Sequence, residues 1–215
     1  MYNYMSLKDH VYEYISKGIQ KGTLKSNDKL NEQEISRELN ISRTPVREAL
    51  IQLAAEGLLI SEPRKGFRVK PLTLKEAKDL YQIVGHLEAM AAVLALDQIS
   101  PEDISRMERL KGDMDEAINA HVFDKYYKLQ VEFHNIYLSK CGNDELINIL
   151  KLLKKRFIRQ GYSGRDPEGL SEIFKETNRQ HGEMIELFKK KDSAQLEKYI
   201  KEVHWDIKYA ALDVV

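Results

Sequence analysis

Ser42-Arg43-Thr44-Pro45-Val46-Arg47-Glu48-Ala49-Leu50 is the stretch on which the fold turns. Ser42 suits an N-cap, where a side-chain oxygen accepts from a free helical N–H. Pro45 falls in the first turn, where a missing N–H costs nothing. Val46, Leu50 and Leu53 line up on one side at helical spacing. Arg43, Thr44 and Arg47 crowd the N-terminal end, and the two arginines, four residues apart, share a face. The stretch predicts a helix that buries one side and presents cations from its first turns.

Upstream, Asn31 followed by Glu34 is a capping signature for a short helix with Ile35 and Leu39 inward, and Asn40-Ile41 is the turn. Further back, Ser6 and Asp9 predict a capped helix from Leu7 to Lys21, with Val11, Tyr14, Ile15 and Ile19 at helical spacing. Gly22–Leu30 reads as a loop. Downstream, Gly57 stops the Ser42 helix. Leu58–Ser61 and Phe67–Lys70 then flank Glu62-Pro63-Arg64-Lys65-Gly66 as two short strands around a turn. Three helices followed by a hairpin predict a winged helix-turn-helix over residues 1–71.

The second helix of such a motif contacts base edges and phosphates from its N-terminal end. A guanidinium pairs with O6 and N7 of guanine through two hydrogen bonds, which makes Arg43 and Arg47 candidate readers. Thr44 is short enough to reach a phosphate or a thymine methyl, and Ser42 sits where helical N–H groups attract an anion. Gln33 is a further candidate at the start of the short helix. Arg64 and Lys65 with Gly66 make the wing a candidate for backbone or minor-groove contact. Charge agrees in sign: residues 1–71 carry 12 Lys/Arg against 9 Asp/Glu, and the remainder 22 against 25, within a chain whose formal net charge is zero.

Pro71-Leu72 reads as a linker. Thr73 and Glu76 form a capping box for a long helix to about Leu96. Beyond it no segment alternates as a strand would, and helices are predicted at 101–119, 123–140, 143–163, 169–190 and 193–212, the last capped by Asp192 with Gln195. Residues 72–215 are therefore expected to form an all-α bundle, and the chain as a whole to be mainly α. The single Cys141 excludes an internal disulfide and reads as a packed thiol. No apolar stretch reads as long enough to span a bilayer, and the N-terminus lacks an apolar signal region. The expected location is the cytoplasm.

Three histidines of the bundle lie on or beside apolar faces. His134 shares a stripe with Phe123, Tyr127, Gln130 and Tyr137. His181 shares one with Phe174, Asn178, Ile185 and Phe188, and His204 follows Ile200 by four. Imidazoles on three helices can converge inside a bundle, where metal sites are built, and neutral imidazole suits Zn and Ni. Each could equally be a hydrogen-bonded core or boundary residue. His10 and His121 read as surface residues, and Trp205 as packing.

Residues 30–70 resemble the DNA-binding domain of the GntR family of bacterial transcription regulators. The resemblance rests on Leu30-Asn31-Glu32, Ile35, Ser42 to Leu50, Leu53, Glu56-Gly57-Leu58 and Gly66-Phe67-Arg68-Val69. The remainder is similar to the FadR-type ligand-binding (FCD) domain through Leu87-Glu88, Phe133-His134, Gly142-Asn143, His181 and His204. The resemblance implies a homodimer on a palindromic operator, with Arg43, Thr44 and Arg47 on bases or phosphates and Gly66 letting the wing approach the minor groove. It also implies a metal held by His134, His181 and His204 and a small-molecule effector, an organic acid in many members. Two positions depart from that pattern. Gln130 stands where metal-binding members have an Asp, leaving a weaker, neutral fourth ligand. Val84 stands where many members have a carboxylate-clamping Arg, with His86 nearby. Arg156, Arg159 and Asn178 are the candidate effector contacts that remain.

The expected function is a DNA-binding regulator, a repressor, whose operator affinity answers to a ligand in the helical domain. Two alternatives stay open. One is a metal-dependent enzyme fused to a DNA-binding domain, against which no general base is evident near the histidines. The other is a ligand-independent DNA-binding dimer with a vestigial pocket.

Overall fold

The computed structural model describes residues 6–157 and 166–214. They form two compact units, one of residues up to 77 with 155–157 and those from 211, the other of 78–154 and 166–210.

In the first unit, α1 (Leu7–Gln20), α2 (Glu32–Leu39) and α3 (Arg43–Ala55) are followed by the hairpin β1 (Leu59–Glu62) and β2 (Gly66–Val69). The Ser6–Asp9 capping box forms as the sequence predicts, each side chain accepting from the other's backbone N–H. The Asn31 side chain accepts from the N–H groups of Gln33 and Glu34. Val11, Ile15, Ile19, Ile35, Val46, Leu50 and Leu53 bury together with Phe67 and Val69 from the wing. This is the joint apolar face that the helical spacing requires. The strands pair antiparallel from Leu59↔Val69 to Glu62↔Gly66. The segment expected as a plain loop contributes a bridge, Lys29↔Arg68, reinforced by Leu30 N–H donating to Phe67 O at 2.9 Å. Edge backbone groups of β2 find partners there, a pairing that no local pattern marks.

In the second unit the helices are α4 (Leu74–Ala95, which starts in the first unit), α5 (Pro101–Asn119), α6 (Phe123–Leu138), α7 (Asp144–Lys155, whose last residue falls in the first unit), α8 (Pro167–Lys190) and α9 (Ser193–Tyr199). The Thr73–Glu76 box caps α4, with Glu76 accepting from Thr73 N–H at 3.0 Å. Two expected helices differ. That over 143–163 is α7, described as helix to Lys155, and residues 158–163 lie outside the described residues. That over 193–212 is not continuous. After α9 the chain makes a π turn, Ile200–His204, closed by Trp205 N–H on Ile200 O at 3.0 Å, and then a 3₁₀ segment, Ile207–Asp213. The extra residue in that turn shifts the helical register, which periodicity alone does not show.

Leu74–Gln98 is long and apolar enough to cross a bilayer by length and composition, which amends the expectation that no stretch has that length. Of its most apolar window 56% is buried within the protein. It also carries the wholly buried carboxylate of Glu88, as the core helix of a bundle can once that charge is paired.

Candidate functional site

The first site is the surface around the start of α3. Ser42 has N-cap backbone angles (φ −64°, ψ 158°), but its hydroxyl makes no hydrogen bond to the helix, contrary to the side-chain cap expected of it. Ser42, Arg43, Thr44 and Arg47 are exposed while Val46 and Leu50 are buried, so the helix divides as its spacing demands. Pro45 is the third helical residue, where no partner for an N–H is needed. Gln33 is exposed at the start of α2. In the wing, Arg64 (φ +63°) and Gly66 (φ +92°) lie in the left-handed region, which turns the hairpin tightly and leaves the Arg64 and Lys65 side chains exposed. One open groove is lined by Gln33, Arg43, Arg47, Arg64, Lys65 and Gly66, with Lys29 and Glu32 beside them. Glu32, quoted from the sequence only as part of the family motif, pairs with Arg47 at 3.7 Å.

The second site lies inside the second unit. The ring nitrogens of His134 (α6), His181 (α8) and His204 (π turn) lie within 4.8 Å of one another, and all three side chains are buried. His134 Nε2 is 3.3 Å from His181 Nε2 and 3.2 Å from His204 Nε2. The opposite nitrogens are each held by a fixed acceptor. His181 Nδ1 donates to Asn178 Oδ1 at 3.1 Å. That amide's nitrogen donates to Lys111 O at 3.0 Å and Asp115 Oδ1 at 2.6 Å, so its oxygen must face the imidazole. His204 Nδ1 donates to Gln180 Oε1 at 3.2 Å, while the Gln180 amide nitrogen donates to Glu176 and to Tyr209 Oη. His134 Nδ1 donates to the carboxylate of Glu88.

Burial and the neighbouring His204 and His134 hold His181 well below the usual histidine range. Burial and His134 push His204 down to about 3. Both rings are therefore neutral near pH 7, with their proton on Nδ1 and a lone pair on Nε2. Those two lone pairs open toward the point that His134 Nε2 also faces, 3.2–3.3 Å from each. The set thus fits a divalent transition metal, with acceptors behind each imidazole of the kind that orient metal-binding histidines.

Glu88 (α4) anchors this arrangement. Burial pushes its carboxyl up, and Lys154, His134 and Tyr137 together outweigh that and hold it well below the usual carboxylate range. Lys154 Nζ donates to Glu88 Oε1 at 3.0 Å and Tyr137 Oη donates to it at 2.7 Å. The other oxygen, Oε2, is buried without a hydrogen-bond partner among the described residues. Trp205, next to His204, has Lys154 Nζ 5.5 Å over its ring, and its Cβ would stand 2.8 Å from a Cβ built on Gly85.

Other predicted residues are placed differently. Gln130 is half-buried one turn before His134, and the hydrogen bonds of the three imidazoles do not include it. Asn178 is wholly buried with both ends of its amide engaged, so it orients His181 rather than offering a free contact to an effector. Arg156 belongs to the first unit, 3.8 Å from Glu76, and is not among the side chains around the histidines. Arg159 lies outside the described residues. Val84 is buried, and His86 is exposed, with Nδ1 2.7 Å from Gln82 O. Lys154 and Gln180 were missed. Gln180 precedes His181 in sequence, whereas nothing local ties Lys154 to Glu88. Tyr137, three residues after His134, was read only as part of its stripe.

A winged helix-turn-helix followed by an all-α unit with buried histidines defines a class of two-part regulators. The chain belongs to the gntR family of bacterial regulatory proteins, whose pattern it matches over residues 7–69, and carries an FCD domain over residues 79–204. It is 30% identical over 141 residues to the HTH-type transcriptional regulator YdhC of Bacillus subtilis, covering 65% of this chain and 63% of that one. It is 31% identical over 129 residues to the Nta operon transcriptional regulator of Aminobacter aminovorans, covering 60% and 61%. The matches thus span less than two thirds of these relatives. Escherichia coli McbR/YncC shares the fold, with a TM-score of 0.78 and 22% identity over 97% of this chain and 98% of that one.

Proposed function

We propose that this protein is a transcription regulator, a repressor, that binds a palindromic operator as a homodimer through residues 1–71 and senses a ligand through residues 72–215. The observation that carries the reading is the groove that gathers Gln33, Arg43, Arg47, Arg64, Lys65 and Gly66 beside the exposed start of α3. Arg43, Thr44 and Arg47 read base edges, Ser42 meets phosphate, and the wing follows the backbone into the minor groove. In the second unit His134, His181 and His204 hold Zn or Ni, and Gln130 is left as a distant or water-bridged fourth ligand. Three neutral ligands leave positions open for water or an effector with a metal-binding group, an organic acid being the simplest. An effector acts by favouring one arrangement of the dimer over another, and shifts operator affinity by that preference. The protein works in the cytoplasm.

Selection from a random-duplex library by the full-length protein tests the reading. An enriched inverted repeat, lost in Arg47→Ala, is the expected result. No enrichment, or an unchanged repeat in that variant, overturns the assignment.

A further inference from the structure

On the reading that α3 meets DNA, we propose that Glu32 is a positioning residue that sets base preference by holding the guanidinium of Arg47.

The groove is cationic, with Lys29, Arg43, Arg47, Arg64 and Lys65 along it, and two carboxylates stand among them. Glu62 is engaged by Arg68 of the wing at 3.3 Å. Glu32 Oε1 lies 3.7 Å from Arg47 Nη1, with the Glu32 side chain 14% exposed and that of Arg47 62% exposed. Capping does not account for Glu32, because the Asn31 side chain already accepts from Gln33 and Glu34 N–H at the start of α2. A carboxylate on a DNA-facing floor repels phosphate and lowers sequence-independent affinity. What it supplies in return is geometric. An arginine on an exposed face has many rotamers, and the nearest phosphate is its default partner. A carboxylate against one edge of the planar guanidinium restrains it and leaves the far edge to meet a guanine. Without that restraint Arg47 turns to phosphate, a contact that carries no sequence information.

The test uses full-length wild type, Glu32→Gln, Arg47→Ala and the double variant. Each is taken through random-duplex selection and then titrated with selected and random duplexes over a range of salt. In Glu32→Gln we expect one symmetric pair of guanine positions to weaken in the enriched repeat. The ratio of selected to random affinity falls about five- to tenfold. Random-duplex affinity holds or rises, and the salt slope steepens by about one phosphate. In the Arg47→Ala background the Glu32 change has no further effect. An unchanged repeat and ratio overturn the proposal. So does uniform weakening with a lowered melting temperature in both backgrounds, which marks a purely structural role. If wild type itself enriches no sequence, the DNA-reading assignment fails first and this inference falls with it.

Discussion

Asn178 faces His181 with its oxygen, because its amide nitrogen is committed to Lys111 O at 3.0 Å and Asp115 at 2.6 Å. One buried amide thereby settles which nitrogen of His181 carries the proton and turns the other toward His134. Replacing Asn178 with Leu should lower Zn affinity about 10–100-fold, the usual range for a residue that orients a metal-binding histidine. Competition with a chelating dye measures it. Wild-type affinity in a folded variant would show that the imidazole needs no orientation.

Acid should destabilise the metal-free protein well above the carboxylate range. The unfolded chain binds protons on histidine near pH 6.5. In the folded chain His204 is pushed down to about 3, and His181 is also held low, burial leading in both. The unfolded state therefore takes up more protons as pH falls below 6.5, and stability falls with it. Between pH 7.5 and 5.5 the two rings should remove about 2–3 kcal/mol. Below about 4.5 Glu88, whose folded value is depressed, should remove more as it is protonated. Urea unfolding in EDTA at the two pH values checks the first window. His204→Asn should reduce the pH dependence by about half, and an unchanged dependence would place the protons elsewhere.

The two parts of the DNA surface should separate by salt and by sequence. Arg64→Ala with Lys65→Ala should weaken selected and random duplexes alike and flatten the salt slope by about one to two phosphates. Arg43→Ala should instead cost roughly 1–3 kcal/mol on the selected duplex and less on the random one. Titrations at several salt concentrations distinguish the two, and equal behaviour of both variants would contradict this division.

Gly85 should tolerate no side chain. A Cβ there would stand 2.8 Å from Trp205 Cβ and 3.7 Å from Lys201 O, inside a packed region. Gly85→Ala should cost about 1–3 kcal/mol by overpacking and weaken metal binding by displacing His204. Thermal melts with and without Zn check both parts, and a variant with wild-type melting would mean that the contact relaxes freely.

Local signals carried most of the architecture. Ser6 with Asp9, Thr73 with Glu76, and Asp192 all cap helices as their spacing predicts, because capping depends on residues three or four apart. The stripes of His134 and His181 indicated buried faces for the same reason. What escaped depends on packing between distant segments. Lys154 and Glu88 are 66 residues apart, and neither carries a local mark of the other. The π turn also escaped, since one added residue leaves the composition and the apolar spacing almost unaltered. Glu32 was legible only as part of the family motif, and its pairing with Arg47, 15 residues on, carries no local mark.

Trp205 is the only tryptophan of the chain, and it directly follows a histidine of the three-histidine cluster, with ring centroids 6.2 Å apart. The protein therefore carries its own optical reporter. Its entire indole emission originates beside the three-histidine centre, so a paramagnetic ion such as Ni(II) entering there should quench it without any attached dye. The same signal, followed in time after mixing, would give the rate at which the ion arrives.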